Sequence, residues 1–167
     1  MSDLLLWSKD YKFGLSMEET FLLEALKKCS DSNLHETGGI LVGYYTHAHD
    51  CAIVTELSGP PEDSVRKHGL LIRGTRGLQS WIIRLWNEKK HYYLGEWHFH
   101  PGGVPVPSQD DIEQMRKLSM DKKLKCPEPI LLIIGGDPRG EWTVNAYIFP
   151  ADKQHVQLFG SIKYIKM

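Results

Sequence analysis

The chain has 167 residues, 41% of them hydrophobic and 25% charged, enough apolar material for one packed domain and too much for a disordered one. Lys and Arg number 20 and Asp and Glu 21, a net charge of −1, which excludes the basic footprint of a nucleic-acid or anionic-membrane binder. No apolar run is long enough to span a bilayer, and Leu4-Leu5-Leu6-Trp7 follows an acidic residue rather than the basic stretch of a signal peptide. Cys29, Cys51 and Cys126 form no close pair, which points to unbridged thiols in a reducing cytoplasm.

Ser16 and Glu19 have capping-box spacing, so the first helix is expected to start there. Leu22, Ala25, Leu26 and Cys29 form an apolar stripe behind it, and residues 30–33 should end it. Strands are expected over 39–45 and 51–57, then a loop over 59–63 and a short strand near 69–72. A second helix over 76–89 carries Leu78, Trp81, Ile82, Leu85 and Trp86 on one face. Residues 92–100 read as a strand entering a Pro/Gly-rich stretch, 101–107. A third helix should run from Ser108 to about Lys122, with Ile112, Met115 and Ser119 inward. Strands over 130–135 and 142–149 follow, and the tail 151–167 suits either a strand or a helix, with Val156, Leu158, Ile162 and Tyr164 apolar. Helices between strands, with at least one hairpin, predict a single α/β domain, 1–167: a mixed β-sheet flanked by helices, its core over 4–149 and a C-terminal extension over 151–167.

His98 and His100 lie two apart in an expected strand, so both imidazoles project from one face while Phe99 turns into the core. Seven residues separate His100 from Ser108, and Asp111 lies three further on. If Ser108 caps the third helix, Asp111 falls in its first turn, and strand end, loop and helix start gather His98, His100 and Asp111 around one cation. Two imidazole nitrogens and a carboxylate suit Zn²⁺, and three protein ligands leave a position open for water, the catalytic arrangement. Glu96 shares that face and has a possible hydrogen bond to an imidazole, although a solvated side chain is the expectation. His47 and His49 repeat the spacing within a polar turn and are expected at the surface, His35 on the far strand face, and His68, His91 and His155 as ordinary packed or exposed side chains. Trp81 and Trp86 are expected in the core, and Trp97 and Trp142 out of phase with the site.

The run His98-Phe99-His100, residues 101–107 and Ser108-Gln109-Asp110-Asp111 resembles the motif of the JAMM (JAB/MPN-plus) metallo-isopeptidases. Glu36-Thr37-Gly38-Gly39-Ile40-Leu41-Val42-Gly43 stands where that family has its upstream Glu and strand. The resemblance implies a cytidine-deaminase-like metalloprotease fold with one Zn²⁺ per chain on His98, His100 and Asp111. It implies Glu36 as general base and then acid, and the Ser108 hydroxyl as oxyanion donor besides its role as helix cap. A substrate tail held by β-augmentation would pass Gly38 and Gly39. The family usually carries Ser or Thr between the histidines; with Phe99 there, altered packing rather than lost activity is expected. Linkage-specific members carry an insertion after the Asp ligand, whereas residues 112–128 leave room only for a helix and a turn, so discrimination among ubiquitin chains is not expected.

Residues 73–79, 95–101 and 126–136 are most similar to the stand-alone JAB deconjugases of bacterial CBASS antiphage operons. There an E1/E2-like protein attaches the C-terminus of a cGAS-like (DncV-like) nucleotidyltransferase to targets, and the JAB enzyme removes it. The resemblance therefore implies a protein substrate joined through its C-terminal tail and a functional pairing with an E1/E2-like protein, while the charge balance and the cysteines set the expectation of a cytoplasmic location with neither nucleic acid nor membrane as partner. Two alternatives stand beside it: a peptidase acting on another ubiquitin-like or sulfur-carrier protein, and a non-catalytic MPN-type scaffold.

Overall fold

In the structure, a computed structural model that describes residues 4–67, 70–72 and 74–160, the chain opens with β1 (Leu4–Trp7), β2 (Gly14–Met17) and α1 (Glu19–Asp31). It continues through β3 (Thr37–Tyr45), β4 (Cys51–Leu57), β5 (Val65–Lys67), β6 (Leu70–Ile72) and α2 (Leu78–Lys89). It closes with β7 (Tyr92–Pro101), α3 (Gln109–Met120), β8 (Ile130–Gly136), β9 (Trp142–Ile148) and β10 (Val156–Leu158). Eight strands form one mixed sheet in the order β1-β2-β4-β3-β7-β8-β9-β10, and β5 and β6 pair separately. The expected α/β architecture is thus present, and among the described residues no helix is long and apolar enough to cross a membrane.

Helices cover both faces of the sheet, which is why β8 is apolar without alternation. Ile130, Leu132 and Ile134 join the cluster that contains Leu22, Ala25, Leu26 and Cys29 of α1. Leu131 and Ile133 turn the other way, onto Met115 of α3 with Ile112 and Leu118 beside it. On that same side Leu78 and Leu85 of α2 pack against Ile40, Val42 and Tyr93.

The phase of β7 depends on a bulge. Leu41 pairs with Gly95 and Val42 with Tyr93, so Leu94 is an extra residue on β7. Tyr93 faces the α2 side, Leu94 the α1 side, and after the bulge Trp97 and Phe99 again face α1. Glu96, His98 and His100 are thereby turned to the α3 side. Gly95 is required at this point: a Cβ there would lie 2.0 Å from the Ile130 carbonyl oxygen.

Several expectations are corrected. The Ser16/Glu19 capping box does not form, because Ser16 lies in β2, paired with Leu5 on β1 and Ile53 on β4. Helix α1 starts behind Glu18, whose side chain makes no cap bond. Strands β1 and β2 were not expected at all: each has four residues, too few for alternation to register, and they form because β2 pairs with β4 and β1 with β2. Helix α2 begins at Leu78 rather than residue 76, after Gly77 at φ 78°. Trp86 is 48% exposed instead of core, because α2 buries Leu78 and Leu85 and leaves Trp86 at its outer edge against the Tyr92 ring and Lys90. Of the tail, Val156–Leu158 form a strand, β10, antiparallel to β9. His68, Gly69 and residues 161–167, with Ile162 and Tyr164, lie outside the described residues.

Candidate active site

The site forms where β7 ends and α3 begins. Along β7 the two-residue period aims His98 and His100 at the same side, and Phe99, with no exposed surface, packs in the core on the other. Residues 101–107 then carry the chain to α3. This loop is braced: Gly102 N donates to Gly136 O at 3.0 Å, and the Pro105 carbonyl accepts from the Tyr147 hydroxyl at 2.9 Å and Asn145 Nδ2 at 3.2 Å. Ser108 is the N-cap of α3, its Oγ accepting from Asp111 N at 3.1 Å while Ser108 N donates to Asp111 Oδ2 at 2.8 Å. That reciprocal pair fixes the Asp111 carboxylate in the first turn, pointing back at the histidines.

Asp111 Oδ1 lies 2.7 Å from His98 Nδ1, and Oδ2 lies 3.3 Å from His100 Nε2. One donor atom from each of the three residues falls within 4.8 Å of the other two, and among the described residues this is the group of His, Cys, Asp and Glu side chains able to hold a metal ion. Two imidazoles and a carboxylate, converging from a rigid strand and a capped helix, fit a borderline divalent ion such as Zn²⁺. The carboxylates around His98 stabilise positive charge on its ring. Burial opposes charge on His98, yet its hydrogen bonds to Asp111 and Glu96 outweigh that and hold its pKa up at about 9. Burial likewise works against an ionised Asp111, but hydrogen bonds from His100 and His98 keep it well below the usual carboxylate range.

A cavity of about 370 Å³ opens over this cluster. Glu36 and Ser108 border it, with Pro101, Val104, Val106 and Asp110 on its rim. Glu36 precedes β3 and sits two residues before Gly38, the register partner of His98, so the strand carries it to the histidine side. All five side chains expected at the site therefore border one cavity, drawn from the lead into β3, from β7, and from the cap and first turn of α3. Gly38 and Gly39 are buried in β3 behind it, and Gly39 has a packing reason to lack a side chain: a Cβ would lie 2.1 Å from the Ser58 carbonyl oxygen.

Glu96 corrects the expectation of a solvated side chain. It has no exposed surface; Oε2 lies 3.2 Å from His98 Nε2 and accepts from Gln114 Nε2 at 2.8 Å. The shared face of Glu96 and His98 was visible in the strand period, but Gln114 was missed, although at i+3 from Asp111 it lies on the same helix face. His47 and His49 are exposed in the β3–β4 turn and take no part, and His35, also exposed, closes a turn with Ser32. Trp97 is buried, with Nε1 donating to Ser58 O at 2.9 Å.

The model of the prokaryotic homologs of the JAB domain matches residues 19–147, from α1 to β9. The chain is 32% identical over 158 residues to a CD-NTase/cGAS isopeptidase of Enterobacter hormaechei, covering 95% of this chain and 87% of that protein. It is 26% identical over 133 residues to the probable metalloprotease y4qB of Sinorhizobium fredii, covering 78% and 80%. The solution structure of protein DSY2949 from Desulfitobacterium hafniense shares the fold, with a TM-score of 0.62 at 17% identity over 86% of this chain and 88% of that one. With the family match spanning 19–147 and the His98, His100 and Asp111 cluster inside it, the chain belongs to the prokaryotic JAB family.

Proposed function

We propose that this chain is a zinc-dependent isopeptidase that releases a cGAS-like nucleotidyltransferase from proteins to which its C-terminus has been joined. The observation that carries the reading is the convergence of His98, His100 and Asp111 on one point beside a cavity that Glu36 and Ser108 border. The substrate class follows the relative of 32% identity, a CD-NTase/cGAS isopeptidase. Such an activity would work against an E1/E2-like conjugating protein in antiphage defence. A cytoplasmic setting agrees with Cys29, Cys51 and Cys126 all being free and buried.

His98, His100 and Asp111 would hold the ion, and zinc supplies Lewis acidity that makes a water nucleophilic near pH 7 and polarises the scissile carbonyl. Glu36 takes the proton of the attacking water and delivers it to the departing amine nitrogen. The Ser108 Oγ accepts the Asp111 amide, so its own hydrogen is free to donate to the oxygen that gains charge at the carbonyl. Gly38 and Gly39 are buried and paired with β7, so an extended tail would bring its last carbonyl to this cavity over the rim rather than along them.

The test uses a cGAS-like nucleotidyltransferase fused through its C-terminal residue to a reporter protein. Incubation with the zinc-loaded chain should release the reporter at that bond, read by mass. A ubiquitin-like or sulfur-carrier fusion serves as the comparison substrate. Glu36→Gln should lower the rate by at least about 10²–10⁴-fold with zinc retained, and Asp111→Ala should lose both. Full activity in either variant refutes the assignment, and preference for the carrier fusion reassigns the substrate.

A further inference from the structure

A carboxylate without solvent exposure is costly unless its oxygens are bonded, and Glu96 meets that condition in a directed way. It stands on β7 two residues before His98, on the same side of the strand, and contacts the imidazole nitrogen remote from Asp111. The ring is thereby held at both ends: Nδ1 at 2.7 Å from Asp111 Oδ1 and Nε2 at 3.2 Å from Glu96 Oε2. Glu96 is itself held by Gln114 Nε2 at 2.8 Å, one turn beyond Asp111 on α3. Strand and helix are thus tied twice across the site, once through Asp111 and once through Gln114.

We propose that Glu96 is a positioning residue for the ligand His98, its contact with Nε2 fixing the ring so that Nδ1 faces the point where His100 and Asp111 converge, with Gln114 fixing Glu96 in turn. An acid behind a ligating imidazole restrains the ring's rotation and makes the ligating nitrogen a better donor. Because the ring is locked before an ion arrives, less motion is lost when one binds. The inference rests on the metal-dependent reading given above and adds to it a residue of the buried shell.

The measurement is zinc affinity, by competition with a chromophoric chelator, alongside melting of zinc-stripped and zinc-loaded protein. Glu96→Gln keeps the shape and removes the charge. It should weaken zinc binding by about 10–100-fold and shrink the rise in melting temperature that zinc produces. A merely structural role predicts a lower melting temperature for the stripped protein with wild-type zinc affinity, and that result overturns the proposal. If Glu96→Gln fails to fold, Gln114→Leu decides, since Gln114 is only partly buried: weaker zinc binding supports the proposal and unchanged binding overturns it. A wild-type chain that binds no zinc removes the metal-dependent reading and this inference together. Tight wild-type binding matched by Glu96→Gln removes this inference alone.

Discussion

Replacing Gly95 by alanine tests whether the phase of β7 is what aims the histidines. A Cβ at Gly95 would lie 2.0 Å from the Ile130 carbonyl oxygen and 2.5 Å from its amide nitrogen. Gly95 and Ile130 are register partners where β7 and β8 begin to run in parallel. Non-bonded contacts to carbon settle at roughly 3.5 Å, so the strands must part by more than about 1 Å there. No side chain can rotate to relieve the clash, because the obstacle is backbone in the centre of the sheet. Overpacking typically costs about 1–3 kcal/mol, and the upper end applies here. For a domain of this length that corresponds to a loss of roughly 6–12 °C in melting temperature. His98 lies three residues along the same strand, and a displacement of about 1 Å in a catalytic constellation lowers turnover by about 10²-fold. Circular-dichroism melts, zinc titration and cleavage of the fusion substrate read the three effects. The control is Gly102→Ala: φ is 67°, but a Cβ there meets nothing within 4 Å, so the cost is confined to about 1 kcal/mol of backbone strain. A Gly95→Ala protein that melts with the wild type and cleaves at its rate refutes the reasoning.

Phe99→Ser places a small polar side chain where Phe99 is fully buried in the α1-side core, so urea unfolding should show a loss of about 3–5 kcal/mol. Stability unchanged by that substitution would contradict the packing described for β7. Ser108→Ala removes both cap and hydroxyl, costing about 1 kcal/mol of stability, whereas Ser108→Gly costs only about a few tenths. If the hydroxyl donates to the oxyanion, both variants lose about 10²–10³ in kcat; a Gly variant with wild-type kcat assigns Ser108 to capping alone. A strong chelator should abolish cleavage while leaving the far-ultraviolet spectrum intact, because the core clusters carry the fold, and added zinc should restore activity and raise the melting temperature with concentration. Activity that survives exhaustive chelation counts against the metal reading.

Much of the site could be read from the linear order of residues because its parts are local. The two-residue strand period places His98 and His100 together, and the cap spacing between Ser108 and Asp111 turns that carboxylate back toward them. Glu36 came from resemblance instead, since nothing in its own neighbourhood says that β3 will pair with β7 in the register that joins Gly38 to His98. The helices α2 and α3 were legible through their apolar spacing, and the start of α3 through its cap. Strands β1 and β2 were not, because a four-residue segment has no measurable period and becomes a strand only when a neighbour satisfies its backbone groups.

The amino-acid order by itself determined that His98 and His100 share one strand face and that Ser108 caps the helix carrying Asp111, since each depends on bonds within a few residues. Tertiary structure alone decided that Glu96 is buried rather than solvated, because that follows from Gln114 arriving on α3 to cover and bond it. It also decided which side of the sheet the histidines occupy. The extra residue at Leu94 resets the alternation of β7, and Gly95 can pass Ile130 only for lack of a side chain, a contact between strands that lie far apart in the chain.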